Sequence, residues 1–341
     1  MSPRILVPWG LQEIAREAIR RAGAEPIFPN DGDDLAPDLH KIAEALRNAE
    51  VLLSRASIEV PDELLKANPA LRGIANHGVG FDNINVSLAT ELGIPVTNTP
   101  GVLTETTADL AWALLMATAR RIPQAHQHVV SGKWIGTRDK PFLGLDVGPG
   151  GSNRPKVLGI VGFGKIGQAV MRRSRGFEMK VLAHDLPMKQ VIEQQEGVTY
   201  RELDDLLRES DFVTLHCLLS AQTHHLIGRH ELELMKPTAV LINAARGPIV
   251  DEEALVAALR GGTIAAAGLD VYENEPELTA GLAELEDIVL LPHIGSGTQD
   301  TRDQMALMTV ENAVAMAGFR RPMNMINPEV LQTPQFLRKV N

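Results

Sequence analysis

Three short segments carry side chains that together could move a hydride and a proton. They are Asn243-Ala244-Ala245-Arg246-Gly247, Asp270-Val271-Tyr272-Glu273-Asn274-Glu275-Pro276 and Leu291-Pro292-His293-Ile294-Gly295. Each follows an apolar run of strand type, at 240–243, 264–269 and 288–291. In open parallel sheets the carboxyl ends of the strands line the ligand crevice, so the three segments can converge there. Arg246 offers a planar fork for a carboxylate and can polarise a carbonyl. His293 can give a proton to an oxygen that is becoming a hydroxyl. A carboxylate at Glu275 would hold that ring and favour its protonated form. This is the set of groups that hydride transfer to a 2-oxo acid requires. Singly, each has a plainer explanation. Arg246 could be a loop charge before the helix that Asp251 caps, Glu275 an ordinary turn acid, and His293 a hydrogen-bonded core histidine. Three in succession after strands, behind a dinucleotide motif, make chance a poor account of the set.

That motif begins with the buried-strand run Val157-Leu158-Gly159-Ile160-Val161. It enters Gly162-Phe163-Gly164-Lys165-Ile166-Gly167, and a helical pattern follows from Gln168. Gly162 allows the tight turn, Gly164 lets a pyrophosphate approach the backbone, and Gly167 lets helix and strand pack closely. The helix end then presents free N–H groups to the anion. Asp185 follows at about the 20-residue distance expected of the acid that accepts from the adenosine ribose hydroxyls. A 2′-phosphate would be repelled there, so NAD is expected and NADP less so. None of residues 186–190 is Arg, and Lys189 is the one cation that could soften the choice.

The elements that must position these groups are legible as alternating strand and helix patterns. Strand-type runs at 5–7, 51–53, 71–75 and 95–97 alternate with helical runs at 12–21, 61–65 and 83–92. A long apolar helix follows at about 104–121, with Thr104 as its cap and Pro123 as its stop. Residues 124–156 show little periodicity and suggest an arm reaching toward another subunit. A second series has strands at 157–161, 180–183, 212–216, 240–243, 264–269 and 288–291, then a last helix at 299–317 and an irregular tail. The alternation predicts an α/β protein with two Rossmann-like domains built on parallel sheets. The second series is complete by Leu291, so the last helix has to pack elsewhere. The domains are therefore expected at 1–100 with 298–341, discontinuous and substrate-binding, and at 101–297, NAD-binding.

On the substrate side, Gly78-Val79-Gly80 precedes a helix expected to start near Asp82 or Asn83, where backbone N–H groups could bind a carboxylate. Arg55 follows the strand at 51–53 and could point the same way, or be a solvated loop charge. Elsewhere the signals exclude more than they assign. The 341 residues carry 33 basic and 43 acidic side chains, a net charge of −10, with no basic footprint for nucleic acid. Aromatics are only 4%, too few for base-stacking platforms. The most apolar stretch, around Ala108 to Ala119, is too short to span a bilayer and carries Asp109. The start lacks the layout of a signal peptide, and one cysteine suits a reducing compartment, so a cytoplasmic protein is expected. No His or acid pair has metal-ligand spacing, so no metal is expected. The other histidines, His224 and His225 among them, are given no role.

The chain resembles the D-isomer-specific 2-hydroxyacid dehydrogenase family in the glycine motif and the three segments named first. Asn76-His77-Gly78-Val79-Gly80-Phe81-Asp82-Asn83-Ile84 resembles the family's substrate loop, and Asn324-Met325-Ile326-Asn327-Pro328-Glu329-Val330 its usual ending. The resemblance implies a flavodoxin-like substrate domain, a site in the cleft and a homodimer formed through the cofactor domain. It implies Arg246, Glu275 and His293 as catalytic residues. It also implies cofactor contacts at Thr107, Gly162, Gly164, Lys165, Ile166, Gly167, Asp185, Cys217, Ala244, Ala245, Arg246, Asp270, His293 and Gly295. Substrate contacts fall at Arg55, Val79, Gly80 and Trp134. Trp134 resembles a tryptophan that some glyoxylate/hydroxypyruvate reductases supply from the partner subunit, its alternative being a buried anchor for the arm. The expected activity is NAD(H)-dependent reduction of glyoxylate or hydroxypyruvate. Phosphoglycerate dehydrogenase and an NAD-sensing corepressor-like protein are the alternatives. Leu218 replaces a proline the family commonly has, and residues 147–156 read as a glycine-rich insertion.

Overall fold

The computed structural model describes residues 2–29, 38–55, 58–136 and 142–340. The chain forms two compact units, Met1–Leu103 with Gly297–Asn341, and Thr104–Ser296.

The first unit holds a sheet of β1 (Arg4–Leu6), β2 (Glu25–Ile27), β3 (Val51–Arg55), β4 (Gly73–His77) and β5 (Val96–Thr97). Their order is β2-β1-β3-β4-β5 and every pairing is parallel, the flavodoxin-like arrangement. Side chains alternate across the sheet. Ile5, Val51, Leu53 and Ala75 pack on one face with Ala306, Val310 and Ala313 of the helix Gln299–Ala317. Leu6, Leu52, Ile74 and Val96 pack on the other with Ile42, Leu46 and Leu65. Burial on both faces is why these strands read as continuous apolar runs.

The second unit holds β6 (Val157–Val161), β7 (Lys180–His184), β8 (Val198–Tyr200), β9 (Phe212–Leu215), β10 (Val240–Asn243), β11 (Ala266–Leu269) and β12 (Ile288–Leu290). The order β12-β11-β10-β9-β6-β7-β8 is parallel throughout. It is the doubly wound dinucleotide order with one strand added at an edge, and its topological switch lies between β6 and β9. The helices Thr104–Ala119 and Lys165–Ser174 cover one face, through Ala111, Leu115, Ala169 and Val170.

Several elements depart from the sequence reading. Strands β2 and β8 have three residues each at sheet edges, too short to show a period, and Pro26 is tolerated in β2 because an edge strand can spare an N–H. Pro123 does not stop a helix but sits in the first turn of a new one, Ile122–Val130, where its missing N–H costs nothing. That helix buries no residue, so residues 124–130 gave no apolar period to read. The helix expected from Asp82 or Asn83 begins only at Val86, capped by Asn85, because the Asn83 amide is spent on loop contacts to Ser54, Arg55 and Ile58. The tail is not irregular: it forms a 3-10 turn at Pro328–Gln332 and a helix at Pro334–Val340.

Candidate active site

Within the second unit the three segments leave β10, β11 and β12 at their carboxyl ends. Asn243 folds the first. Its side chain accepts from the Ala245 N–H at 3.1 Å and donates to the Arg246 carbonyl at 2.8 Å, fixing the turn that presents Arg246. Gly247 is needed next, since a Cβ there would overlap the Tyr272 carbonyl. The Tyr272 hydroxyl donates to the Leu291 carbonyl at 2.8 Å and ties the second segment to the third.

Glu275 and His293 meet. The His293 Nδ1 lies 2.8 Å from Glu275 Oε2, and Glu275 Oε1 accepts from the Tyr272 N–H at 3.0 Å. His293 takes a left-handed backbone, φ 52°, unusual for a residue with a side chain and in keeping with a site that holds strain. Burial pushes the Glu275 carboxyl up. The hydrogen bond and charge of His293, the Tyr272 N–H and the charge of Arg246 outweigh it and hold the carboxyl below its usual range. Glu275 is therefore ionised at neutral pH and leaves Nε2 of His293 as the end of the ring that can serve a substrate oxygen.

The same unit fits a dinucleotide on its own geometry. Gly162 has φ 92°, and a Cβ on it would run into the backbone of His216 and Cys217 at the end of β9. A Cβ on Gly167 would strike the Gly162 carbonyl. Gly164 faces open space, and it caps the helix whose first residues are Lys165 and Ile166. That open cradle beside a helix end is what a pyrophosphate needs. Asp185, half-buried after β7, accepts from the Phe163 N–H at 2.8 Å and from the Met188 N–H at 3.3 Å, so its carboxylate is anchored to the glycine turn. Lys189 is held elsewhere, 4.4 Å over the Tyr200 ring and 3.9 Å from Glu202. Burial pushes the Cys217 thiol up to about 11, which leaves it a neutral wall residue.

Asp270 supplies the other end. It is 1% exposed, its Oδ1 accepts from the Ile294 N–H at 2.8 Å, and its buried Oδ2 has no hydrogen-bond partner among the described residues. A Cβ at Gly295 would stand 3.3 Å from that oxygen and 3.7 Å from the Thr107 hydroxyl, so Asp270, Gly295 and Thr107 converge. Burial, helped by the Glu275 charge, raises the Asp270 carboxyl against the pull of the nearby Ile294 N–H, the His293 charge and the Gly295 N–H. An orphaned buried acceptor of this kind suits an amide donor, such as the carboxamide of a nicotinamide. Ala244 and Ala245 lie half-buried on the β10 turn.

In the first unit, Val79 and Gly80 follow β4. Their carbonyls are tied to Asn98 at 2.8 Å and Asn76 at 2.7 Å, and no acceptor among the described residues takes their N–H groups. Those two donors remain for a carboxylate, without the helix end that the sequence suggested. Arg55 ends β3 opposite His77 of β4 and is half-buried, not a solvated loop charge. Burial and the charge of Arg302 both push the Arg55 guanidinium down. Burial, Arg302 and Arg55 lower His77 to about 4, so it is neutral at pH 7. Arg302 is a second cation near this loop that the sequence reading missed, because its position in a long helix carries no motif. Trp134 is 63% exposed, so within this chain it is not a buried anchor. His225, given no role from sequence, pairs with Glu273, two residues before Glu275.

Comparison with known proteins identifies the family. Residues 112–295 match the model of the D-isomer specific 2-hydroxyacid dehydrogenase NAD-binding domain. A glyoxylate reductase of Thermococcus litoralis is 46% identical over 303 residues, 88% of this chain and 90% of that protein. One of Korarchaeum cryptofilum is 44% identical over 334 residues, 97% and 98% of the two chains. The structure of an NADPH-dependent glyoxylate/hydroxypyruvate reductase of Sinorhizobium meliloti superposes with a TM-score of 0.83 at 32% identity, covering 98% of each chain. With the family model matched over more than half of the chain and relatives 44–46% identical over most of it, the chain belongs to the D-isomer specific 2-hydroxyacid dehydrogenases.

Proposed function

We propose that this protein reduces a small 2-oxo acid, glyoxylate or hydroxypyruvate, to the 2-hydroxy acid, with Arg246, Glu275 and His293 as its catalytic residues. The observation that carries the reading is the His293–Glu275 pair at 2.8 Å in the unit that also holds the glycine turn and Asp185. Bound NADH supplies the hydride. The Arg246 fork takes the substrate carboxylate and draws electron density toward the carbonyl oxygen. His293 donates the Nε2 proton to that oxygen, while Glu275 keeps the ring oriented and compensates its charge. In the first unit, the N–H groups of Val79 and Gly80 and the charge of Arg55 are the substrate contacts proposed. Thr107, Asp270 and Gly295 would hold the carboxamide end of the cofactor, with Ala244, Ala245 and Cys217 beside it.

A homodimer accompanies this function. Ile122, Val129, Val130, Trp134, Ile135 and Leu143 are all exposed on one stretch of the second unit, the kind of apolar surface that marks an interface. Trp134 would then serve the partner's substrate. Among the described residues no helix is long and apolar enough to cross a membrane, and with one cysteine the cytoplasm is the compartment that suits the chain. The test is a panel of 2-oxo acids and 3-phosphoglycerate with NADH and NAD⁺ respectively. Glyoxylate or hydroxypyruvate should give the highest kcat/KM. Turnover of 3-phosphoglycerate alone, or of nothing, overturns the reading.

A further inference from the structure

The loop that carries Glu275 is clamped by a buried acid that the reaction itself does not use. Glu252 opens the helix Glu252–Arg260, yet that helix is already capped by Asp251, whose side chain accepts from the Ala254 N–H at 2.9 Å. A second acid in the first turn would serve the helix dipole equally well in solvent. Glu252 is instead 1% exposed. Its Oε1 accepts from the Glu273 N–H at 3.0 Å, and its Oε2 accepts from the Thr279 hydroxyl at 2.5 Å. Both partners belong to one loop, and Glu275 lies between them. The loop is pinned from two more sides, by Gly247 packed against the Tyr272 carbonyl and by His225 paired with the Glu273 side chain.

A carboxylate is costly to bury unless its oxygens are satisfied. Burial does raise Glu252, with the Thr279 and Glu273 bonds opposing it and the Glu273 charge adding to it. A chain that spends a buried acid on both ends of one loop gains a fixed loop geometry. We propose that Glu252 is a positioning residue: by bridging Glu273 and Thr279 it sets the loop that aims the Glu275 carboxylate at His293. The proposal rests on the function proposed above. The charged and titratable groups around the pair are Arg246, Asp270, Tyr272 and Glu273, with His225 behind Glu273.

The test compares Glu252→Ala, Glu252→Gln and Thr279→Val with wild type. Displacement of a catalytic group by about an ångström can cost on the order of 100-fold, so Glu252→Ala should lower kcat/KM for glyoxylate by about 10- to 100-fold. Its NADH Kd, read by fluorescence, should stay within about twofold, because the glycine turn is untouched. The pH at which kcat/KM falls should move down, as it should in Glu275→Gln. Glu252→Gln should recover most of the loss, since its amide oxygen still accepts from Glu273 and the Thr279 hydroxyl can turn to accept from its NH₂. Thr279→Val removes one bond only and should shift the profile in the same sense by less, which keeps the test open if Glu252→Ala does not fold. NMR titration of His293 in the same variants needs no turnover, so it separates this inference from the assignment of substrate. A His293 titration and a pH profile unmoved in Glu252→Ala, or in Thr279→Val should the former not fold, overturn the proposal.

Discussion

Replacement of Asp185 by Ala should abolish the cofactor preference, and the structure sets the scale of the change. Asp185 does not wander: the Phe163 and Met188 N–H groups fix both of its oxygens at the end of β7. A ribose 2′-phosphate placed about 4 Å away would meet that charge at ~1 kcal/mol in water and ~4 kcal/mol at an effective dielectric near 20. Asp185 is half-exposed, so the lower part applies, ~1–2 kcal/mol, a preference for NADH of about 5- to 30-fold. Lys189 does not cancel this, because its ammonium is held over Tyr200 and near Glu202. The Sinorhizobium relative is NADPH-dependent, so the fold alone does not decide the matter. The assay is kcat/KM for NADH and NADPH at saturating glyoxylate, in wild type and Asp185→Ala. NADH should weaken and the NADH:NADPH ratio should fall by about the same factor. A wild type that prefers NADPH, or a ratio unmoved in the variant, would refute the electrostatic argument.

Arg246→Ala should reduce kcat/KM for glyoxylate by at least ~100-fold, the scale for losing an oriented charged donor, with NADH binding retained; steady-state kinetics and fluorescence titration check both. Glu275→Gln should move the pH at which reduction falls to lower values. Glu275 is held ionised beside His293, so its charge faces the ring at neutral pH, and Gln removes that charge while keeping the shape. A profile superimposable on wild type would show that the 2.8 Å contact has no functional weight. Trp134→Ala should raise KM for hydroxypyruvate more than for glyoxylate, which has no side chain to touch; equal KM values, or a monomer by sedimentation, would remove the partner's tryptophan from the site.

What could be read from the sequence was what burial and chain geometry leave as pattern. Strands such as β6 and β10 are buried on both faces and read as apolar runs, and Gly162 and Gly167 mark places where a Cβ has no room. The three polar segments could be ordered because each follows a strand. The helix Ile122–Val130 was illegible since it buries nothing, and β2 and β8 because three edge residues carry no period. The start of the helix at Val86 depended on where the Asn83 amide was spent, a tertiary fact. Glu252 looked like any acid in a first helical turn; only its burial and its two loop partners distinguish it.

The central claim is that His293, oriented by Glu275, protonates the oxygen of a 2-oxo acid. The most direct measurement is NADH oxidation by glyoxylate at neutral pH, followed by absorbance in wild type and in His293→Asn, with NADH affinity measured in both. The account predicts turnover in wild type, a loss of about 100-fold or more in the variant, the range for a general acid, and NADH binding in each. A His293→Asn enzyme that binds NADH and reduces glyoxylate at the wild-type rate would contradict it.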